Sequence, residues 1–255
     1  MNNNKKIVVF SDLDGSLLNA HYEFSDIESS LQEIYALKAS IVLVSSKTKS
    51  EISLYREKLQ LADPYIAENG SAIIIPKNYF THSFDFSKTT DGNQVIELGL
   101  PHGVIRRKLA AIKQQTRASI VGFADMTVEE VAADNGLPLA EAKLAKEREY
   151  SEPFKILSEN KQEVLQALSE EGLCYTLGGR YFHALGDTDK GKAVAILIEL
   201  YRQQFGDVCT VGVGDGPNDL SMLEKLDKPF YIDGVTKRVT VWKEIVSAVQ
   251  TLACK

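Results

Sequence analysis

The stretch KKIVVFSDLDGSLLN, Lys5–Asn19, decides the fold. Its apolar run, Ile7 to Phe10, reads as a strand buried on both faces. The run ends on two carboxylates one residue apart, Asp12 and Asp14, followed by Gly15. Like charges at the end of a buried strand repel each other and favour water. An Asx turn is the plain structural reading of the pair; the functional reading needs partners from elsewhere in the chain.

Similar short apolar runs recur at SIVLVS (from Ser40), CTVGVG (from Cys209) and PFYI (from Pro229). Between the first two lies SDIESSLQEIYALKA, with Ile27, Leu31 and Ile34 at helical spacing behind a capping Ser25. KGKAVAILIELYRQQFG places Ala193, Ile196, Leu197 and Leu200 on one stripe and stops at Gly206. Strands alternating with helices predict an α/β fold with a doubly wound, mostly parallel sheet.

The middle of the chain differs. Helical segments are expected at Ile105–Thr116, Thr127–Asp134, Leu139–Glu147 and Lys161–Glu171, with short strands at SIVGF, EPFKIL, CYTLGG and RYFHAL. TTDGN, from Thr89, is turn-rich, and Thr127 with Glu130 has capping-box spacing. The simplest organisation is a core built from residues 1–78 and 187–255, with a smaller α+β unit, 79–186, inserted between. Ligands of open parallel sheets sit at the C-terminal strand ends, where such an insert would cover them.

Composition limits the function. A net charge of -6 argues against a nucleic-acid or membrane-surface binder. No apolar run approaches the roughly 18 residues of a membrane span, and MNNNKK leads directly into a strand rather than a signal-peptide core. Cys174, Cys209 and Cys254 are scattered, which fits a reducing cytoplasm rather than a disulfide framework or zinc site.

If the apolar runs are parallel strands, their C-terminal ends converge. Asp12 and Asp14 follow the first, Ser45, Ser46 and Lys47 the second, and GDGPND, with Asp215, Asn218 and Asp219, a later one; Lys190 opens the helix before it. Carboxylates gathered around one crevice need a hard cation, and oxygen ligands suit magnesium. Magnesium bound by Asp12 and Asp215 would attract a phosphate. One carboxylate could then attack phosphorus while another protonates the departing oxygen. Ser45 could donate a hydrogen bond to phosphate oxygens, and Lys190 could neutralise their charge.

DLDGS, Ser45 after a strand, Lys190 before a helix and GDGPND, in that order, resemble the four motifs of the haloacid dehalogenase superfamily of phosphohydrolases. The resemblance implies a Rossmann-like core with Asp12 as nucleophile and Asp14 as acid/base. Asp12, the Asp14 carbonyl and Asp215 would be magnesium ligands, supported by Asn218 and Asp219. An insert between the second and third motifs implies that family's second cap type. REYSEPF, GGRYFHALG, SSKT and ENGSAI together are similar to mannosyl-3-phosphoglycerate phosphatases, which convert a glycosyl-3-phosphoglycerate into a glycosylglycerate, a compatible solute. The implied partner is a small phosphorylated sugar acid. Ser16 and Ser45 depart from the threonines common in such motifs but keep the hydroxyl.

Plain readings stand beside these. Ser45 could cap the next helix, and Ser46 fits a phosphate donor equally well by spacing. Asn69-Gly70 is a hairpin signal before it is a substrate contact, with Glu68 beside it. Lys192 reads as a solvated helix residue. Arg148, Glu149 and Glu152 could form a surface salt-bridge cluster rather than line the crevice. Strand alternation puts Arg180 and His183 on opposite faces unless the strand bends; His183 reads as a structural histidine, whereas a guanidinium at Arg180 suits a glycerate carboxylate. The alternatives to a glycosyl-3-phosphoglycerate phosphatase are a broad sugar-phosphate phosphatase, a sugar phosphomutase and a non-catalytic sugar-phosphate sensor.

Overall fold

The computed structural model describes residues 5–234 and 237–253, so Cys254 lies outside the described residues. The chain first forms strands β1 (Lys6–Ser11), β2 (Ser40–Val44), β3 (Tyr65–Ala67), β4 (Ala72–Pro76), β5 (Lys88–Thr90) and β6 (Asn93–Glu97). Helices α1 (Glu28–Ala36) and α2 (Lys49–Lys58) connect the first three. Next come α3 (His102–Thr116), β7 (Ile120–Gly122), α4 (Val128–Asn135), α5 (Leu139–Ala145), β8 (Ser151–Ile156) and α6 (Lys161–Glu170). The hairpin β9 (Cys174–Gly178) and β10 (Tyr181–Leu185) leads into α7 (Lys190–Phe205), β11 (Val208–Gly214), the short α8 (Leu220–Leu223), β12 (Lys228–Tyr231) and α9 (Arg238–Ala253).

Eight strands form one sheet in the order β12-β11-β1-β2-β3-β4-β6-β5. Pairing is parallel from β12 to β3 and antiparallel beyond. Alternation along β1 explains the helices on both faces. Val8 and Phe10 pack with Val194 and Leu197 of α7 and Met222 of α8. Ile7 and Val9 belong to the opposite layer, with Leu31 of α1, Ile52 of α2 and Trp242 of α9. The sheet is therefore doubly wound, and β1, β2 and β11 end at the same edge.

The second sheet, β7-β8-β10-β9, is antiparallel throughout. Phe154 and Ala184 face Ile105 of α3 and Val164 and Leu168 of α6. Tyr181 faces the other way, towards Phe123, Val131 of α4 and Ala142 of α5.

Two details correct the sequence reading. β5 and β6, placed in the insert by a boundary near residue 78, pair onto β4 and lengthen the larger sheet. Asp91 (φ 51) and Gly92 (φ 73) make the two-residue turn between them, and Val95 packs into the larger core. Ser25 makes no capping bond: it begins a single 3-10 turn, and α1 starts after Ile27.

Candidate active site

Asp12 leaves β1 with its amide bonded to the Val213 carbonyl of β11, which fixes it at the shared strand edge. It is only 6% exposed. Lys190, at the first position of α7, reaches across with its Nζ 2.6 Å from Asp12 Oδ1 and 2.5 Å from Asp219 Oδ1. Asp219 Oδ2 accepts the amides of Asp215 (3.0 Å) and Gly216 (2.9 Å), so this carboxylate braces the GDGPND turn. Ser16 donates to Asp215 Oδ1 at 3.2 Å. Asp12, Asp215 and Asp219 each offer an oxygen within 4.8 Å of the others. Gly15 permits that approach: its φ is +80°, and a Cβ there would lie 2.1 Å from Asp215 Oδ2.

One ammonium cannot neutralise the carboxylates around it. Burial lifts Asp12 well above the carboxylate range; Lys190 opposes the shift, and Asp219 and Asp14 add to it. Burial, then the charge of Asp219, push Asp215 up to about 6, against the Ser16 hydrogen bond. Burial works against the charge of Lys190, but Asp12 and Asp219 outweigh it and hold the lysine above its usual range. Burial chiefly holds Asp12 up, and the surrounding carboxylates hold Lys190 up.

Ser45, Ser46 and Lys47 link β2 to α2. Ser45 is buried, with its Oγ accepting the Lys47 amide at 3.2 Å, while Ser46 borders the crevice. The helix cap is Thr48, not Ser45: it forms a capping box with Glu51. Lys47 Nζ lies 3.0 Å from Asp14 and 3.8 Å from Glu51. Burial disfavours its charge, yet Asp14 and Glu51 prevail and hold Lys47 above the usual lysine range.

Glu68, Asn69 and Gly70 form the tight turn between β3 and β4, as the hairpin signal predicts. Gly70 has φ +91°, and a Cβ there would lie 2.0 Å from the Asp189 carbonyl oxygen. Asn69 Oδ1 accepts from Asn218 Nδ2 at 3.0 Å, tying this turn to GDGPND. Glu68 is 1% exposed, and its carboxylate accepts from Glu149 N (2.9 Å), Tyr150 N (3.1 Å) and Ser151 Oγ (2.6 Å). It therefore grips the smaller unit and is absent from the crevice lining.

A cavity of about 360 Å³ lies between the two units, bordered by Asp12, Asp14, Asp215 and Asp219 on one side and Arg148, Arg180 and His183 on the other. Arg148 is not part of a surface cluster. Its Nη1 donates to the Ser46 carbonyl at 2.7 Å, whereas Glu152 is buried against His102 and Glu149 pairs with Lys88. Arg180 sits in the turn between β9 and β10 rather than in a strand, so alternation does not apply, and Arg180 and His183 border the same cavity. His183 is buried; desolvation, then Arg148 and Lys190, lower it to about 3, keeping the ring neutral. Its Nδ1 has no hydrogen-bond partner among the described residues. Lys192 is exposed and pairs with Asp187.

Sequence reasoning passed over Glu51 and Tyr22, which also border the cavity. Glu51 had a signal, the Thr48-x-x-Glu51 spacing of a capping box. Tyr22 had none; Lys47 Nζ lies 5.1 Å from its ring centroid.

The profile of the haloacid dehalogenase-like hydrolases matches residues 9–247. A glucosyl-3-phosphoglycerate/mannosyl-3-phosphoglycerate phosphatase from Methanococcoides burtonii is 40% identical over 230 residues, 89% of this chain and 85% of its own. One of the same description from Persephonella marina is 40% identical over 91% of this chain and 87% of its own. The mannosyl-3-phosphoglycerate phosphatase of Pyrococcus horikoshii is 37% identical over 88% and 90%. Among solved structures, the superfamily phosphatase BT1666 from Bacteroides thetaiotaomicron superposes with a TM-score of 0.66 at 18% identity, covering 98% of this chain and 96% of its own. That likeness concerns the fold.

Proposed function

The chain belongs to the haloacid dehalogenase-like hydrolases, and on that premise we propose that it is a phosphomonoesterase acting on a glycosyl-3-phosphoglycerate, mannosyl or glucosyl. The products are the glycosylglycerate and phosphate. The observation that carries the substrate is the 40% identity to the Methanococcoides burtonii phosphatase across 89% of this chain, a span that takes in both sheets.

Magnesium fits the donor set. Asp219 is saturated by Lys190 and two amides, but Asp12 Oδ2 and Asp215 Oδ2 have no hydrogen-bonding donor among the described residues. Hard oxygens and a negative charge that Lys190 alone does not offset favour a small divalent cation. Asp12, Asp215 and the Asp14 carbonyl would hold it, braced by Asn218 and Asp219. Once bound, it would offset the charge of the phosphoryl oxygens beside these carboxylates.

The chain's own residues carry the rest. The Asp12 carboxylate attacks phosphorus, and the bond from phosphorus to the glycerate oxygen breaks. Asp14, half exposed and bordering the cavity, gives its proton to that oxygen. As a carboxylate it then takes a proton from the water that attacks the aspartyl phosphate, releasing phosphate and restoring Asp12. Ser45 and Lys190 stabilise the phosphoryl oxygens. The smaller unit acts as the cap: it shuts out bulk water and brings Arg180 and His183 to the organic part of the substrate. We place the reaction in the cytoplasm, in keeping with the free thiols Cys174 and Cys209. No described helix is long and apolar enough to cross a membrane.

The test is phosphate release by purified protein with magnesium, with Asp12→Asn as the blank. Mannosyl- and glucosyl-3-phosphoglycerate would be compared with 3-phosphoglycerate and hexose phosphates. A strong preference for a glycosyl ester is expected; similar, slow hydrolysis of every ester would refute the substrate.

A further inference from the structure

Three consecutive carbonyls of the loop after β2 are each held by a donor from outside the loop. Ser45 O accepts from Asn69 N (3.0 Å) and Lys47 O from Glu68 N (3.0 Å), both in the β3–β4 turn. Ser46 O, between them, accepts from Arg148 Nη1 (2.7 Å), which comes from the smaller unit. In a trans peptide the carbonyl of one residue and the amide of the next point in opposite directions. Fixing these carbonyls therefore turns the Ser46 and Lys47 amides the other way. The Lys47 amide is taken by Ser45 Oγ at 3.2 Å. The Ser46 amide has no acceptor among the described residues, and its residue borders the cavity beside Asp12.

We infer that Arg148 and Glu68 are positioning residues that set this loop for a phosphoryl group, so that the anion cradle is complete only when the smaller unit is seated. The inference rests on the phosphatase reading. Glu68 does not border the cavity. It acts through the Glu149 amide, the Tyr150 amide and the Ser151 hydroxyl, which belong to the three residues following Arg148. Its own amide holds Lys47 O, so one residue fixes both the arginine's backbone and the loop that the arginine meets. Arg148 Nε donates to Ala145 O at 3.0 Å, which aims the guanidinium at Ser46 O. Arg148 also borders the cavity, so contact with the glycerate is the competing role for its side chain.

Inorganic phosphate separates the two roles, because it lacks sugar and glycerate. Its dissociation constant would be measured by calorimetry with magnesium present, for the wild type, Arg148→Met and Glu68→Gln, alongside KM for mannosyl-3-phosphoglycerate. Thermal unfolding would be recorded for each variant. Arg148→Met is expected to weaken phosphate roughly tenfold, in proportion to its effect on the ester. Glu68→Gln should weaken phosphate in the same direction. Unchanged phosphate affinity in Arg148→Met, with only the ester weakened, would overturn the inference and assign Arg148 to substrate reading. A lowered melting temperature in Glu68→Gln with phosphate affinity intact would reduce Glu68 to a structural clamp. If phosphate affinity shifts as expected but no glycosyl ester is hydrolysed, the positioning role stands and the substrate reading fails.

Discussion

Lys190 Nζ lies 2.6 Å from Asp12 Oδ1, although the two residues are 178 positions apart in sequence. Lys190 is 1% exposed and opens α7, where the positive end of the helix dipole disfavours a cation. Burial and helix position both oppose a lysine there, and the carboxylates of Asp12 and Asp219 favour it. A residue so placed against local preference is better explained by the charge it balances than by the helix it begins.

Lys190→Met keeps much of the side-chain volume and removes the charge. Asp12 and Asp219 then share the site without a counter-ion, which for a broken buried pair costs about 3–5 kcal/mol. Chemical denaturation at pH 7 without magnesium should register that loss, and turnover should fall by about 10² or more. A variant as stable as the wild type would show that the cluster tolerates its own repulsion.

Gly15→Ala tests the metal site by steric means. The added methyl would meet Asp215 Oδ2, and the left-handed backbone adds strain of about 1–3 kcal/mol. The expected result is a folded protein that needs far more magnesium for half-maximal activity. Unchanged magnesium dependence would remove Asp215 from the ligand set.

The cluster also sets a pH signature. A folded-state value of about 6 at Asp215 lies above the roughly 3.9 of a free aspartate. The folded protein therefore binds the proton more tightly than the unfolded chain between those values. Without magnesium, this contribution to stability is full below about pH 4 and is lost as pH rises through about 6. With magnesium the dependence reverses, because binding requires the carboxylates. Melting curves in EDTA and in magnesium should diverge between pH 5 and pH 7; parallel curves would contradict metal binding by this cluster.

The strand ends were legible because each polar group comes at or just past the end of an apolar run: Asp12 two residues after Phe10, Ser45 after Val44, Asp215 after Gly214. The β3–β4 hairpin was legible from Asn69-Gly70. The antiparallel edge was not, because β5 and β6 are short and half exposed, and only pairing onto β4 identifies them with the larger sheet. The role of Glu68 was hidden for another reason. The resemblance of ENGSAI suggested a substrate contact, but the partners of its carboxylate lie 81 to 83 positions away, across the contact between the two units. That Arg180 and His183 border one cavity was hidden because alternation was applied to a residue that the β9–β10 turn removes from the strand.

Asp14 gives the most discriminating chemical prediction. Its carboxylate is paired with Lys47 at 3.0 Å and its side chain is 45% exposed, so it can reach a leaving group entering from the cavity. Asp14→Asn keeps the shape and removes the proton it would transfer. A glycerate or sugar ester leaves as an alkoxide and needs that proton; p-nitrophenolate leaves without it. With magnesium saturating, turnover of mannosyl-3-phosphoglycerate should therefore fall by about 10²–10⁴, the usual range for a lost general acid. The first step with p-nitrophenyl phosphate should be far less affected, and its steady turnover should be capped by the second step, in which Asp14 would activate water. A burst of p-nitrophenolate followed by slow turnover would show that the acyl phosphate still forms on Asp12. Equal losses on the two substrates, with no burst, would rule out Asp14 as the acid.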